Sequence, residues 1–263
     1  MKILVFDSGL GGLTVHEPVR AARPDAAFVY LADDAVFPYG GLAEHELVRR
    51  VIEVIDPVVT CEKPDLIVNA CNTASTITLP HLRQRYTMPI VGTVPAIKPA
   101  AEQSRTRRFS VMATPGTVAR DYTRDLVDTF AGGCAVTLVP CTHLARLAER
   151  HLRGEALADA DVLAEMTPAF VDVGGQRTDT IVLACTHYPL LLSRMQALQP
   201  WPVTWIDPGP AIARRVVQLA GAKPEGAADA PAGTIYFTSR AAPGPQLAAT
   251  LAARGLIARS LPG

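Results

Sequence analysis

Two cysteines that follow matching apolar segments are the residues of this chain best suited to chemistry. Residues 65–71 are DLIVNAC and residues 179–185 are DTIVLAC, so both segments begin with Asp and end in Ala-Cys. Cys71 precedes Asn-Thr-Ala-Ser and Cys185 precedes Thr-His-Tyr-Pro, residue types that begin helices and turns. We expect the positive end of a helix to lower the pKa of such a cysteine, and its free N–H groups to bind a carboxylate.

Three kinds of site could use this pair of cysteines. A zinc site from Cys71, Cys185 and His187 lacks the CxxC or HExxH spacing of zinc ligands, so we expect no metal. A Cys-His hydrolase could pair Cys185 with His187 and orient the histidine with Asp7, but it leaves the other cysteine without a role. Two thiols facing each other across a small acidic substrate use both cysteines. One thiolate removes a proton from one face of a carbon, and the opposing thiol returns one to the other face, so the sequence favours stereoinversion.

The other three cysteines are expected to be structural. Cys61, which lies in a helical pattern, and Cys134 fit the usual role of cysteine as a small core residue. Cys141 begins a CTHL segment similar to the CTHY of residues 185–188, but it lacks the preceding DxIVxAC pattern, so we exclude it from the site. An odd number of cysteines without CxxC indicates free thiols in a reducing compartment, and we expect a cytoplasmic protein.

The balance of charges limits the classes of partner. The 263 residues include 25 Lys+Arg and 25 Asp+Glu, so no basic field is available to hold nucleic acid or anionic lipid. The first ten residues lack the apolar stretch and cleavage site of a signal peptide, and no stretch approaches the roughly 18 apolar residues of a membrane span. An apolar fraction of 49% excludes a disordered chain. We expect small molecules or proteins as partners, with no nucleic acid and no membrane.

Short β-rich apolar runs alternate with helical patterns along nearly the whole chain. The predicted strands are Ile3–Phe6, Ala27–Leu31, Leu66–Asn69, Pro89–Val91, Phe109–Met112, Val136–Val139, Thr180–Leu183, Val203–Trp205 and Thr234–Phe237. The helical candidates include Ala43–Cys61, Ser75–Tyr86, Val118–Phe130, Leu144–Leu152, Val162–Val173 and Pro210–Ala220. Continuous Ile/Val/Leu runs are typical of parallel strands that helices cover on both faces. The pattern predicts an α/β fold whose ligands bind beyond the carboxyl ends of the strands.

An internal repeat divides the chain into two related halves. Besides the two DxIVxAC segments, Asp7–Gly9 (DSG) and Thr114–Gly116 (TPG) each follow the first predicted strand of a half. The repeat predicts two pseudo-symmetric α/β domains with mainly parallel sheets and an interdomain active-site cleft, to which each domain brings one cysteine. Because the stretch from Asp207 has no counterpart in the second half, we expect a first domain of residues 1–97 plus 207–263. The second domain then comprises residues 98–206.

A set of motifs, in order along the chain, resembles the glutamate racemases. The motifs are DSGLGGLTV at 7–15, PYG at 38–40, CNTAS at 71–75, VGTVPAIKPA at 91–100, ATPGTV at 113–118, ACTHYPLL at 184–191 and DPGPAIARR at 207–215. The resemblance implies an isomerase without a cofactor that interconverts L- and D-glutamate and supplies D-glutamate for peptidoglycan biosynthesis. It also implies two α/β domains with the site between them, and it is compatible with a homodimer.

The roles of site residues follow from this resemblance residue by residue. Cys71 and Cys185 match the two catalytic thiols, which take the proton from D-glutamate and from L-glutamate respectively. Asp7 and His187 match side chains that assist proton movement at Cys71 and at Cys185. The residues that match substrate-binding positions are Asp7, Ser8, Pro38, Tyr39, Gly40, Asn72, Thr73, Thr114, Thr117, Thr186 and His187. Residues 41–43 and 139–150 depart from the usual pattern, and Glu149 is only a loose match to an acidic residue of the family.

Two alternatives stay open. One is an aspartate or hydantoin racemase of the same superfamily. The other is a weakly catalytic relative that binds a protein partner, like the glutamate racemases that inhibit DNA gyrase. Because the neutral composition offers no acidic surface that imitates DNA, we rank protein binding below catalysis.

Overall fold

A computed structural model of the chain describes residues 1–262 and has the predicted α/β fold. Its strands are β1 (Lys2–Asp7), β2 (Ala27–Ala32), β3 (Leu66–Asn69), β4 (Ile90–Gly92), β5 (Arg108–Ala113), β6 (Ala135–Pro140), β7 (Asp172–Val173), β8 (Gln176–Arg177), β9 (Thr180–Ala184), β10 (Thr204–Ile206), β11 (Gly233–Phe237) and β12 (Leu256–Arg259). Its α-helices are α1 (Leu13–Ala22), α2 (Glu44–Glu62), α3 (Asn72–Arg85), α4 (Ile97–Gln103), α5 (Pro115–Ala119), α6 (Asp121–Phe130), α7 (Leu144–Leu152), α8 (Asp159–Met166), α9 (Leu192–Leu198), α10 (Gly209–Ala220) and α11 (Pro245–Ala253). Short 3₁₀ turns occur at Asp34–Val36, Tyr39–Gly41, Thr167–Ala169 and Tyr188–Leu191.

Two parallel sheets organise the chain, and their strand orders confirm the predicted pseudo-symmetry. The first sheet has the order β12-β11-β2-β1-β3-β4 and the second has the order β10-β9-β5-β6. The segment β2-β1-β3-β4 therefore corresponds to β6-β5-β9-β10, strand for strand. Within each sheet the strands pair in parallel, and the antiparallel pair β7–β8 forms a separate hairpin.

The repeated aspartates have the same structural function in both halves. Asp65 accepts a hydrogen bond from the backbone N–H of Lys2 at 2.7 Å, at the start of β1. Asp179 accepts hydrogen bonds from the backbone N–H groups of Arg105 and Thr106 at 2.7 and 2.9 Å, just before β5. Each carboxylate thus satisfies backbone donors at the beginning of the neighbouring strand, which explains why both DxIVxAC segments begin with Asp.

Helices cover both faces of each sheet, as continuous apolar strands require. In β1, Ile3 and Val5 pack with α1, α10 and α11, whereas Leu4 and Phe6 pack with α2 and α3. The second sheet has its own pair of clusters, one with α4 and one with α7, α8 and α9. Two separate cores therefore form, one around each sheet, and we refer to the corresponding parts of the chain as the first and second domains.

The predicted boundaries between the domains remain a proposal. The first sheet takes its strands from residues 2–92 and 233–259, and the second takes its strands from residues 108–206. The proposed divisions after residues 97 and 206 fall in the two connections between the sheets. Among the helices of residues 1–262, none is long and apolar enough to cross a membrane.

Two predicted helices are wrong in extent. The predicted helix Val118–Phe130 is divided at Arg120, whose backbone is extended, with φ −74° and ψ 137°. The hydroxyl of Thr123 donates to the carbonyl of Thr117 at 2.7 Å and so satisfies a group that the break would leave free. The predicted helix Val162–Val173 ends at Met166, because Pro168 has no N–H with which to continue the helix, and β7 follows. The sequence pattern also did not predict β12.

The core of the first domain contains a histidine without hydrogen-bond partners. His16 in α1 is buried, and both of its ring nitrogens lack a partner among the described residues. Its ring meets the ring of Phe28 edge to face at a centroid distance of 4.9 Å. Burial, together with the positive charges of Arg20 and Arg254, lowers the pKa of His16 to about 4. The imidazole is therefore neutral in the folded protein at physiological pH.

This histidine is expected to make the fold sensitive to mild acid. Unfolding returns the pKa of His16 to about 6.5, so between that pH and about 4 the unfolded state binds more protons and stability falls as the pH falls. The loss from this one group is about 3 kcal/mol. Denaturant unfolding at a series of pH values should show that the free energy of unfolding decreases less on acidification for His16→Leu than for the unmodified protein. His81→Leu, at an exposed position of α3, is the matched control. An equal decrease in the free energy of unfolding of all three proteins at low pH would contradict the role of His16.

Candidate active site

A small closed cavity lies between the carboxyl ends of the two sheets. Strands β1 and β3 of the first sheet and β5 and β9 of the second end beside it. The cavity is lined by Ser8, Phe37, Pro38, Tyr39, Cys71, Asn72, Thr73, Thr114, Ala145, Cys185, Thr186 and His187. Its volume of about 10 Å³ is room for about one water molecule. The predicted cleft between the domains is thus present in a closed form.

Cys71 follows β3 as the N-cap residue of α3, and its thiol is almost completely buried. The N–H of Ala74 donates to its Sγ at 3.5 Å, and the thiol donates to the hydroxyl oxygen of Ser8 at 3.5 Å. Burial raises the pKa of Cys71 to about 12, and the neighbouring negative charge of Asp7 contributes to the increase. The expected lowering of this pKa by the helix terminus is therefore wrong, because desolvation outweighs the helix end. The thiol of Cys71 is protonated in the closed cavity.

Cys185 follows β9 and shares the cavity with an imidazole from the same turn. Nδ1 of His187 lies 3.9 Å from Sγ of Cys185, and Nε2 of the same ring lies 3.2 Å from Oε1 of Glu149. Glu149, on α7, also accepts a hydrogen bond from the backbone N–H of Leu10 at 2.6 Å. The Glu149 carboxylate, the His187 imidazole and the Cys185 thiol therefore contact one another in series on this side of the cavity.

The hydrogen bonds among Glu149, His187 and Cys185 favour the charged forms of the carboxylate and the imidazole. Burial disfavours a charged imidazole, but the hydrogen bonds to Cys185 and Glu149 and the charge of Asp7 raise the pKa of His187 well above its usual value. Burial also disfavours a charged Glu149, but His187 and the N–H of Leu10 hold the pKa of that carboxyl below its usual value. A protonated ring donates from Nε2 to Glu149 and from Nδ1 to Cys185.

The neutral imidazole has a different partner. The backbone N–H of Gly11 points at Nε2 of His187 at 3.1 Å, and it can donate only when that nitrogen carries no proton. Glycine is needed at this position because a Cβ on Gly11 would collide with the imidazole ring. Nε2 of His187 thus has an acceptor in Glu149 when it carries a proton and a donor in Gly11 when it does not.

Asp7, at the end of β1, joins the two halves of the site. Its side chain is fully buried and accepts hydrogen bonds from the hydroxyl of Thr186 and the N–H of Gly9, both at 3.0 Å. Burial raises the pKa of Asp7, although His187 and these donors oppose the increase. The carboxyl therefore acts on the pKa of Cys71 in its own domain and anchors the residue next to Cys185 in the other.

Hydroxyl and amide groups form the rest of the polar lining. The hydroxyl oxygens of Thr73, Thr114 and Thr117 lie 2.9 to 3.2 Å from one another, and Thr73 belongs to the first domain whereas the other two belong to the second. Asn72 lines the cavity, and both its Nδ2 and Oδ1 are buried without a hydrogen-bond partner among residues 1–262. A buried amide without partners in a cavity marks a position where a polar ligand is expected.

Tyr39 and Gly40 have different structural functions. The hydroxyl of Tyr39 donates to Asp33, which also receives a two-pronged ion pair from Arg50 at 2.6 and 2.8 Å. The Tyr39 hydroxyl is thus already engaged by Asp33, although Tyr39 is one of the residues that line the cavity. Gly40 contacts the second domain through its backbone: a Cβ placed on Gly116 would lie 2.6 Å from the carbonyl oxygen of Gly40, so the close approach requires glycine at position 116.

The structure brings the predicted site residues together without exception. Ser8, Pro38, Tyr39, Cys71, Asn72, Thr73, Thr114, Cys185, Thr186 and His187 line the cavity. Asp7, Gly40 and Thr117 contact these residues from behind. Sequence reasoning did not find Phe37 and Ala145, which are apolar and carry no chemical signal, and it matched Glu149 only loosely. A charged residue on the otherwise apolar face of α7 was the available signal for Glu149.

The cysteines excluded from the site lie outside the cavity, but the expectation that Cys61 is a core residue is wrong, because its side chain at the end of α2 is exposed. Cys141 is buried outside the cavity, where its thiol contacts the backbone carbonyl of Val139 at 3.7 Å. In the part of the chain that the structure describes, no group of three or more His, Cys, Asp or Glu is arranged to hold a metal ion.

Comparison with known proteins finds one family. Residues 14–216 match the model of the Asp/Glu/Hydantoin racemase family. Over 222 residues the chain is 54% identical to a glutamate racemase of Brucella ovis, which covers 84% of this chain and 80% of the relative. The crystal structure of Escherichia coli glutamate racemase in complex with L-glutamate and the activator UDP-MurNAc-Ala is 36% identical, with a TM-score of 0.89 over 100% of this chain and 99% of that chain. Glutamate racemase from Thermus thermophilus in complex with β-chloro-D-alanine is 27% identical, with a TM-score of 0.74 over 98% and 96% of the two chains.

The ion pair between Glu149 and His187 gives a direct test of the site's charges. Glu149→Gln keeps an oxygen that accepts from the N–H of Leu10 but removes the negative charge, so the pKa of His187 should fall. A pH titration of the ring nitrogens by NMR measures this change. Glu165→Gln is the matched control, because that carboxylate accepts from the backbone of His143 and does not contact the imidazole. An unchanged His187 pKa in Glu149→Gln would show that the carboxylate does not set the charge of the ring.

Proposed function

The chain belongs to the Asp/Glu/Hydantoin racemase family, and we propose that it interconverts L- and D-glutamate by proton transfer between two thiols. The relatives named above are glutamate racemases, and their similarity indicates that the chain is an amino-acid racemase. The observation that carries the mechanism is that Cys71 and Cys185, each placed by a different sheet at equivalent strand ends, line one closed cavity. A hydrolytic Cys-His site would use only one of them.

The surroundings of the two thiols define a starting state. The thiol of Cys71, with a pKa of about 12, is an acid that holds its proton. On the opposite side, a protonated His187 directs its Nδ1–H at Sγ of Cys185, which stabilises negative charge on that sulfur. In this state Cys185 is the base and Cys71 is the acid, which fits L-glutamate as the substrate.

The reaction then exchanges one proton on each face of the α-carbon. The Cα–H bond of L-glutamate breaks as the proton moves to Sγ of Cys185, and a new Cα–H bond forms on the opposite face with the proton of Cys71. The product is D-glutamate, and the enzyme is left with a thiol at Cys185 and a thiolate at Cys71. Asp7 and His187 lie where they can assist the return of protons to the starting arrangement.

The α-proton of an amino acid is weakly acidic, so the site must stabilise the charge that develops when it leaves. Fixed donors supply this stabilisation in our proposal. Thr73, Thr114 and Asn72 line the cavity, where their hydroxyls and amide would bind the carboxylate groups of the substrate, and the hydroxyl of Thr117 supports the two threonines from behind. Because a closed site also excludes water, these interactions are stronger there than in solution.

The closed cavity must open to admit its substrate. A volume of about 10 Å³ does not hold an amino acid, and the contacts that close the cavity join the two domains. We therefore propose that the domains separate for binding and close for catalysis, in the manner of enzymes whose closure completes the site. Closure would form both the hydrogen bond between Asp7 and Thr186 and the hydrogen bond between Leu10 and Glu149.

Glutamate is the preferred substrate in our proposal, and aspartate or a hydantoin is the alternative. The family description names all three classes of racemase, whereas the relatives compared above are glutamate racemases, one of them with L-glutamate bound. We also propose that the D-glutamate formed is used for peptidoglycan biosynthesis, as the resemblance implies, and that the protein is cytoplasmic, as its free cysteines indicate.

The two-thiol mechanism is tested by separate Cys71→Ala and Cys185→Ala variants. Each should lower racemisation by about 10³-fold or more, since each removes one of the two groups that transfer a proton. Because the enantiomers are equally stable in water, kcat/KM must fall by the same factor in both directions. Circular dichroism of L- and D-glutamate reactions measures these rates. Cys61→Ala, at an exposed cysteine outside the cavity, is the matched control and should keep full activity. A single cavity variant with the activity of the unmodified protein would refute the mechanism.

Proton exchange with solvent identifies the substrate and the reacting carbon. In D₂O the protein should incorporate deuterium at Cα during the conversion of L-glutamate, because the proton delivered by the second thiol comes from solvent. Mass spectrometry and ¹H NMR follow the exchange with single enantiomers of glutamate, aspartate and a hydantoin. Faster exchange with aspartate or the hydantoin than with glutamate would replace the proposed substrate. No exchange with any of them would contradict racemisation altogether.

A further inference from the structure

The mouth of the cavity can be located from the exposure of its lining. Ten of the twelve lining residues are buried, and only Phe37 and Pro38 are partly exposed. Since the cavity holds about one water molecule, some part of its wall must move before an amino acid enters. The segment at Phe37 and Pro38 is where the wall is in contact with solvent.

Phe37 belongs to one domain and packs against the other. It follows β2 of the first domain, between the 3₁₀ turns at residues 34–36 and 39–41. Its side chain packs with the cluster formed by α7, α8 and β9 of the second domain. The side chain therefore has its present surroundings only when the two domains are closed.

Inside the cavity, the ring of Phe37 lies against the imidazole of His187. The two ring centroids are 5.0 Å apart and the rings are inclined by 37°. The guanidinium carbon of Arg146, an exposed residue of α7, lies 5.9 Å from the centroid of the same ring. Phe37 thus lies near both an exposed cation of the second domain and the imidazole that contacts Cys185.

We propose that Phe37 closes the mouth of the cavity and holds the imidazole of His187 in position beside Cys185. When the ring is seated, it excludes water from both thiols and restricts the tilt of the imidazole. When the domains separate, the ring leaves the second domain and opens the path for an amino acid. The positioning part rests on the proposed racemase function, whereas closure of the mouth does not depend on it.

Thiol alkylation tests the closure without any need for turnover. We compare Phe37→Ala, Phe37→Tyr and the unmodified protein with iodoacetamide and measure the rate at each cysteine by peptide mass spectrometry. Cys71 and Cys185 should react about tenfold faster in Phe37→Ala, because the mouth stays open. Cys61, which is exposed, and Cys141, which is buried outside the cavity, are internal references and should keep their rates.

The control variant is Phe170→Ala. Phe170 packs against the same cluster of the second domain and meets Trp201 edge to face at 5.3 Å, but it does not line the cavity. It should leave the alkylation of both cavity cysteines unchanged, and Phe37→Tyr should restore protection because it keeps the ring. Equal acceleration of Cys141 in Phe37→Ala would indicate general loosening and would overturn the proposal, as would unchanged rates at Cys71 and Cys185.

Steady-state kinetics test the positioning of His187. Phe37→Ala should lower kcat about tenfold or more with a smaller change in KM, and Phe37→Tyr should recover most of kcat. A rise in KM alone would refute the positioning role, since it would mean that the ring only contacts substrate. If alkylation responds as expected but the unmodified protein does not racemise glutamate, the proposed function fails and the closure of the mouth by Phe37 stands.

Discussion

The hydrogen bonds that cross between the two domains are the interactions on which the site depends. Asp7 of the first domain accepts from Thr186 of the second, and Glu149 of the second accepts from Leu10 of the first. Each buried carboxylate is thus satisfied by a donor from the other domain, and a buried carboxylate without its donors is costly. The closed state is therefore tied to the charges of the site, so that packing and chemistry are controlled by the same few contacts.

Parallel sheets explain why these groups meet at all. In a parallel sheet every strand ends at the same edge, so the residues after β1 and β3 emerge together, as do those after β5 and β9. Two such edges that face each other bring four strand ends around one small volume. Gly116 then allows its backbone to approach that of Gly40, and Gly11 leaves room for the imidazole of His187, since a Cβ on either glycine would collide.

The sequence predicted the structure best in the repeated segments and at the polar residues that directly follow strands. The two DxIVxAC segments predicted the pseudo-symmetric sheets and the placement of Cys71 and Cys185, because periodicity and strand-end position are local properties. The high pKa of Cys71 was not predictable, since it arises from burial between domains rather than from the helix terminus. Phe37 was missed for a related reason: an aromatic residue in a loop has no chemical signal until its neighbour, His187, is known from the fold.

The differences between the two halves matter as much as their likeness. A two-base racemase needs one acid and one base at any moment, and different surroundings decide which of two thiols holds the proton. Here the fold supplies equivalent positions, but Cys71 lies near the carboxylate of Asp7 whereas Cys185 contacts the imidazole of His187. Negative charge near Cys71 favours its thiol form, whereas the ring of His187 offers a hydrogen-bond donor to the sulfur of Cys185. Duplication thus provides the opposed geometry, and the divergence of a few neighbouring residues gives the two sulfurs the different surroundings on which the proposed transfer across the substrate relies.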